Sequence, residues 1–212
     1  MYSYSNDVLT LTAPETAFKK QFSIICKMSG SGNSVEIVNT VKNRSNKAEH
    51  FAPWSVTALA PGGIEVIPLN KKDSGFLPNR SFCLWSYSDI YDSRFKLFNH
   101  SALLKHDSNC DKAFKAGFNA DDGYVAYILG NQLLTINFDK YKNIKYPDFS
   151  SNFETYTNKF FLECELVGEE RDYQPSEEAG ISEVWRIVMV NDTLPPINEQ
   201  MIEFVSRHIN NT

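Results

Sequence analysis

Apolar residues recur every two positions over several short stretches of this chain, which is the period of a β-strand. In 34–42, Val35, Ile37 and Val41 fall on one face, and most of the polar residues fall on the other. Turn-forming sequences separate such stretches: SGSGN at 29–33, PGG at 61–63, DSGF at 73–76 and ADDG at 120–123. This pattern predicts many antiparallel strands and few helices.

Three further stretches are predicted as strands. In 159–166, Glu163 and Glu165 project from one face, and the even-numbered apolar residues project from the other. The stretch 82–89 places Cys, Trp, Tyr and Asp side chains on one face. The run at 182–190 is apolar enough to form a largely buried strand.

The C-terminal part of the chain has a helical period instead. After Pro195 and Pro196, apolar residues follow at helical spacing, which predicts an amphipathic helix over about 196–210. We expect this helix to dock on a sheet edge or a sheet end. The region 99–120 is rich in Lys, Asn and Asp and is predicted to be a long connection. The whole chain, 1–212, is expected to form one domain.

Composition narrows the classes of function. The chain has 212 residues, 42% of them hydrophobic and 13% aromatic, which is enough for a substantial core. The formal net charge is -5 and no basic stripe stands out, so no nucleic-acid partner is expected. No stretch approaches the ~20 apolar residues that span a bilayer, and the N-terminus lacks the features of a signal peptide. A cytoplasmic protein without a membrane partner is therefore predicted.

The cysteines are scattered rather than paired. Cys26, Cys83, Cys110 and Cys164 form no CxxC motif, and no His lies at ligand spacing, so we expect free thiols and no structural zinc. The sequence has no phosphate loop, nucleophile elbow or HExxH motif. No cofactor is predicted.

Four segments, taken in order, carry a resemblance to a known family. They are 43–63, ending in APWSVTALAPGG; 78–94, with WSYSDIYDSR; 115–127, with KAG and GYVAY; and 146–185, with YPD, ETYTN, FLECEL and EVW. They resemble a bacterial family of unknown function that has the galactose mutarotase-like fold. The resemblance covers about residues 30–190. It implies an all-β, antiparallel β-supersandwich with a sugar-sized cleft on one sheet.

Two departures from the family pattern bear on the structure. Members usually carry a further block of strands before the segment at 43–63, so the N-terminal strands are expected to be incomplete here. An incomplete sheet exposes a strand edge, which permits self-association. Members also have Pro-Gly before the last Glu…Trp strand, where this chain has Pro175 and Ser176, so a different turn is expected.

A more distant resemblance to sugar mutarotases suggests where chemistry would occur. Those enzymes pair a general-base Glu with a general-acid His across the anomeric centre. Glu163 matches the Glu, which makes it the candidate catalytic base, whereas Trp54 stands where the His would be. The missing acid would then be His50, His100 or a Lys. The alternative for Glu163 is a solvated strand face.

Further residues are candidates for holding a sugar through aromatic stacking and hydroxyl hydrogen bonds. The candidates for substrate binding are Trp54, Trp85, Tyr87, Asp92, Arg94, Lys115, Asp148 and Glu165. Each has an alternative: core packing for the Trp side chains, a structural ion pair for Asp92 with Arg94, and surface charge for Lys115 and Asp148.

Three functions are compatible with these residues. The first, which the missing acid favours, is a carbohydrate-binding protein that takes a small sugar as its ligand. The second is an aldose 1-epimerase-like isomerase with Glu163 as general base. The third is a structural or interaction protein that keeps the fold without the site.

Overall fold

Antiparallel β-sheet makes up almost all of the regular structure in the computed structural model, which describes residues 1–30, 32–139 and 144–210. Helix α2 spans Gln200–Asn210, whereas α1 (Pro147–Ser150) is a single turn in which Asp148 and Phe149 have non-helical backbones. The strands are β1 (Tyr2–Ser5), β2 (Val8–Thr12), β3 (Lys20–Met28), β4 (Ser34–Asn43), β5 (Glu49–Phe51), β6 (Trp54–Leu59), β7 (Ile64–Pro68), β8 (Phe82–Leu84), β9 (Phe95–Leu97), β10 (Ser101–Lys105), β11 (Phe114–Phe118), β12 (Tyr124–Leu129), β13 (Gln132–Phe138), β14 (Phe153–Thr157), β15 (Leu162–Val167), β16 (Arg171–Tyr173) and β17 (Glu178–Met189). The predicted all-β class with a C-terminal helix is confirmed.

The strands form three sheets. The ten-stranded sheet has the order β1-β2-β3-β4-β17-β13-β12-β7-β10-β9, and the five-stranded sheet has the order β6-β15-β14-β11-β8. A two-stranded sheet joins β16 and β5. The turn at 60–63 carries the chain from β6 in the small sheet to β7 in the large one, so consecutive strands lie in different layers.

The main core lies between the five-stranded sheet and the middle of the ten-stranded sheet. Leu162 and Leu166 of β15 belong to the same buried cluster as Ile67, Leu104 and Ile136 of the large sheet. Alternation explains this arrangement, because every second residue of each strand faces the other sheet. Each such side chain contributes about 1.5–3 kcal/mol of hydrophobic stabilisation.

Helix α2 covers the outer face of the large sheet. Its apolar stripe, including Met201, Phe204 and Val205, is buried with residues of β7, β10, β12 and β13. The helix begins at Gln200, later than predicted, where the side chain of Asn198 accepts a hydrogen bond of 2.9 Å from the Gln200 amide. Because its apolar stripe packs against four strands of the large sheet, α2 docks on the face of that sheet, not on the predicted edge or end.

The region 99–120 contains two strands, so the prediction of a long connection is wrong. The run Ser101–Lys105 is β10, and the buried run Phe114–Phe118 is β11. The polar residues that suggested a loop are concentrated in 106–113, between the two strands. These strands were missed because each apolar run is only a few residues long.

Two other predicted strands differ in extent or burial. The strand within 82–89 ends at Leu84, because the Ser88 amide donates a 2.9 Å hydrogen bond to the Trp85 carbonyl and closes a turn. All of the run at 182–190 except its last residue lies within β17, where the C-terminal end of the strand's inner face is exposed. Ile187 and Met189 remain 50% and 56% exposed, so this run is not largely buried.

Strands β1–β3 extend beyond the five-stranded sheet and leave an apolar surface uncovered. This overhanging face consists of Tyr2, Tyr4, Leu11, Phe22 and Ile24, which are 40–76% exposed. A groove of about 230 Å³ runs between it and the edge strand β6. Within the described ranges, no helix combines the length and apolar character needed to cross a membrane.

Candidate functional site

The outer face of the five-stranded sheet carries charged and aromatic side chains. Glu154 of β14 pairs with Glu165 of β15, and Tyr156 pairs with both Glu163 and Lys115. Because residues directly opposite each other point to the same side of a sheet, these side chains share one surface. We call this surface, with the neighbouring Trp54, Trp85, Tyr87 and Asp148, the polar face.

Lys115 is the centre of the polar face. Its Nζ lies 2.8 Å from Glu154 Oε2 and 2.7 Å from Glu165 Oε2. The same ammonium is 5.0 Å from the ring centroid of Trp54 and 4.6 Å from that of Trp85. Burial disfavours the charged amine, but the hydrogen bonds to the two carboxylates outweigh it and raise the Lys115 pKa. Lys115 is therefore a paired, buried cation rather than a surface charge.

Trp54 has one end fixed and a large part of its surface open. Its indole N–H donates a 2.7 Å hydrogen bond to Glu165 Oε2, while the residue as a whole is 60% exposed. Trp54 is thus not part of the core. Glu165, only 1% exposed, accepts from both Trp54 and Lys115 and is held in one position.

Glu163 differs from its neighbour Glu165 in being free. No hydrogen bond or ion pair within the described part of the chain engages its half-buried carboxylate. Burial raises the Glu163 pKa, and the nearby negative charge of Glu165 adds to the rise. A free, partly exposed carboxylate can accept hydrogen bonds from hydroxyl groups.

Glu154 is a further functional candidate that sequence reasoning missed. It is 3% exposed, and its Oε1 has no hydrogen-bond partner among the described residues. Burial raises its pKa to about 7; Lys115 opposes the rise, and the carboxylate of Asp148 adds to it. Glu154 therefore exchanges a proton near neutral pH. Only the β11–β14–β15 register reveals it, because Glu154 and Lys115 are distant in sequence.

Asp148 interacts with Glu154 from α1, a turn with an unusual backbone conformation. Asp148, Phe149 and Ser150 all have left-handed backbones, with φ of 48°, 58° and 71°. Such a conformation costs about 1–2 kcal/mol for each non-glycine residue. A hydrogen bond of 2.7 Å from Ser151 Oγ to the Asp148 carbonyl helps to hold the turn. Concentrated strain of this kind is typical of functional sites.

Asp92 and Arg94 form a structural pair rather than part of the polar face. Arg94 is 4% exposed, and its Nε and Nη2 donate to the Asp92 carboxylate at 3.0 and 2.8 Å. Nη2 also donates to the carbonyl of Lys112 at 2.8 Å. These bonds fix the loop before β9, which favours the structural alternative for both residues.

Tyr87 and Trp85 border the polar face from the turn after β8. Tyr87 is 51% exposed. Burial of its hydroxyl end raises the Tyr87 pKa, which also responds to the charges of Lys115 and Glu165. Trp85 is half-buried beside Lys115. Both side chains are therefore close enough to the carboxylates to contact a ligand bound there.

His50 is engaged elsewhere, on the two-stranded sheet. Its Nδ1 is 2.8 Å from Asp172 Oδ1, and its Nε2 is 3.5 Å from Glu170 Oε1. His100 lies in the turn before β10, in the large sheet. The described residues contain no group of three or more His, Cys, Asp or Glu side chains suited to a metal ion, and all four cysteines are free thiols.

Solved structures share this architecture at low sequence identity. No protein-family model matches the chain, and no curated protein matches its sequence. A galactose mutarotase-like protein from Lactobacillus casei has a TM-score of 0.53 and 13% identity, covering 89% of this chain and 72% of its own. A candidate mutarotase from Salmonella typhimurium has a TM-score of 0.55 and 10% identity, covering 89% and 63%. A candidate aldose 1-epimerase from Klebsiella pneumoniae has a TM-score of 0.52 and 10% identity, covering 99% and 56%.

The protein has the galactose mutarotase-like fold, as the resemblance implied. This chain spans less than two thirds of the length of the last two structures. At these identities the similarity establishes the fold alone, because one fold can serve many functions.

Proposed function

We propose that the protein binds a small carbohydrate on the polar face. The observation that carries this proposal is the free carboxylate of Glu163 on the same sheet face as the exposed ring of Trp54. An indole surface packs against the C–H face of a sugar, and a carboxylate accepts its hydroxyl protons. Lys115 and Glu165 support the proposal by fixing the position of Trp54. Two of the similar structures are named for mutarotation, a reaction of sugars.

Isothermal titration calorimetry against neutral mono- and disaccharides tests this proposal. We expect millimolar to micromolar binding, weakened at least tenfold by Trp54→Ala, which removes a stacking surface, and by Glu163→Gln, which removes an anionic acceptor. Glu203→Gln, an exposed change on α2, is the matched control. Absence of heat with every sugar would refute the proposal and favour a protein that keeps only the fold.

A second candidate function is an aldose 1-epimerase-like isomerase. One observation favours it: Glu154, with a pKa of about 7, supplies a carboxylic acid near the candidate base Glu163. The two residues are diagonal neighbours on β14 and β15, which places them about 7–8 Å apart across the sheet. Glu163 would take the C1 hydroxyl proton as the C1–O5 bond breaks, and the buried Glu154 would protonate the ring oxygen through one intervening water. Closure on the opposite face of C1 returns both protons.

Polarimetry separates catalysis from binding. If the isomerase is correct, the protein speeds α/β interconversion, and Glu163→Gln and Glu154→Gln each slow it at least a hundredfold while the protein stays folded by circular dichroism. Sugar binding without any acceleration would leave the binding function and remove the isomerase.

A further inference from the structure

The polar face has more negative charge than its cation neutralises. Four carboxyl groups, those of Asp148, Glu154, Glu163 and Glu165, accompany the single ammonium of Lys115. That ammonium already bonds to Glu154 and Glu165 at 2.8 and 2.7 Å. In the described ranges, no other Lys or Arg makes an ion pair with these carboxylates.

Two carboxyl groups on this face also have oxygens without a hydrogen-bond donor. The Glu163 carboxylate has no hydrogen-bond donor in the described part of the chain, and it is half-exposed, so a ligand can reach it. Behind it, Glu154 is 97% buried, and its Oε1 has no donor there either. An unpaired carboxylate in a partly desolvated place gains most from a charged hydrogen-bond donor.

From this arrangement we infer that the polar face selects sugars by charge, with Glu163 as the specificity-determining residue. It binds sugars that carry a protonated amino group more tightly than their neutral counterparts, and it rejects sugars that carry a phosphate or carboxylate. The inference rests on the proposed carbohydrate binding.

The physical basis is the difference between a charged and a neutral hydrogen bond. An ammonium on the sugar adds a Coulombic attraction of opposite charges to its hydrogen bond with Glu163, whereas a hydroxyl at the same position donates a hydrogen bond without that added attraction. A phosphate meets several carboxylates and no unpaired cation, so it loses its hydration without gaining a partner. The effect is electrostatic and is therefore screened by salt.

Calorimetric titration at pH 7 with one matched sugar series tests the inference. The ligands are glucose, glucosamine, N-acetylglucosamine, glucuronate and glucose 6-phosphate, with the galactose series in parallel. We expect the amino sugar to bind about three- to tenfold more tightly than the neutral sugar, and the two anionic sugars to bind at least about tenfold more weakly. N-acetylglucosamine, which has no charge, should lose the advantage of glucosamine.

Glu163→Gln tests the assigned residue, because it removes the charge and keeps the shape. This variant should bind glucosamine and glucose equally, whereas Glu203→Gln, with the same change in net charge, should keep the preference. Equal binding of glucose and glucosamine by the unaltered protein, or binding of glucose 6-phosphate as tight as that of glucose, would overturn the inference and leave the proposed function intact. Binding of no sugar at all would instead overturn the proposed function.

Discussion

Lys115 forms ion pairs with the buried carboxylates of Glu154 and Glu165, so its removal should destabilise the folded state. We expect Lys115→Met, which keeps much of the stem volume, to lower the free energy of unfolding by about 3–5 kcal/mol, because two buried carboxylates lose their cation. Urea denaturation measures the loss. Part of it should disappear at pH 5, where the raised pKa of Glu154 lets that group take up a proton in the folded state.

Lys27→Met is the control for this change, since Lys27 is exposed on β3 and its removal should alter stability by less than about 0.5 kcal/mol. Equal stability of the Lys115 variant and this control would contradict the assigned role.

Glu65 is a second buried acid, and it gives a pH dependence of defined sign. It is 0% exposed between the two sheets, and Cys164 Sγ donates to its Oε1 at 2.8 Å. Burial raises the Glu65 pKa from 4.5 to about 8. The folded state therefore keeps a proton that the unfolded chain has lost, and stability falls as the pH rises from about 4.5 to 8.

Glu65→Gln should remove most of this dependence, because an amide does not ionise in this range. Since one pKa unit corresponds to about 1.4 kcal/mol, we expect the pH-dependent loss to amount to several kcal/mol in the unaltered protein. Unfolding midpoints at pH 5, 7 and 9 measure it; the smaller slope from Glu154 should persist in the variant. A variant as pH-dependent as the parent would show that Glu65 is ionised when folded.

At the scale of elements, alternation predicted β4 and β15 well because apolar residues recur at every second position over most of each strand. Glu163 and Glu165 were correctly assigned to the same face for this reason. Strands β10 and β11 were missed because each run is only five residues long, and β10, which is buried on both faces, also lacks alternation. Trp85 was predicted to lie on a strand, but β8 ends one residue earlier, at Leu84. No local sequence pattern indicated the turn that follows.

The contacts within the polar face could not be predicted from the sequence. Lys115 meets Glu154 and Glu165 only through the pairing of β11, β14 and β15, and pairing between distant strands depends on the whole sheet.

The backbone conformation of the turn at Ser176 was also not predictable from its residue types. Ser176 adopts a positive φ of 68°, the conformation that a Gly provides without strain, so Pro-Ser accommodates a backbone for which glycine is better suited.

For the whole molecule, the overhanging face gives the expected self-association a location. Its exposed side chains, with Val56 on the open edge of β6, present roughly 600 Å² of surface if a whole large side chain presents about 150–250 Å². A stable interface buries about 800 Å² on each partner, and backbone pairing at an open strand edge would add to the total.

We therefore expect a concentration-dependent dimer in sedimentation equilibrium. Ile24→Lys, at a side chain that is already 40% exposed, should convert it to a monomer without unfolding it, whereas Thr10→Lys on the opposite face of β2 should not. A monomer at every concentration would mean that a second copy does not cover this face.

The enclosure of Lys115 has a practical consequence for following motions of the protein. An amine that is 9% exposed and bonded to two carboxylates reacts slowly with acylating reagents, whereas lysines in open water react at once. The rate of labelling at Lys115, followed by mass spectrometry, would therefore measure how often the five-stranded sheet opens.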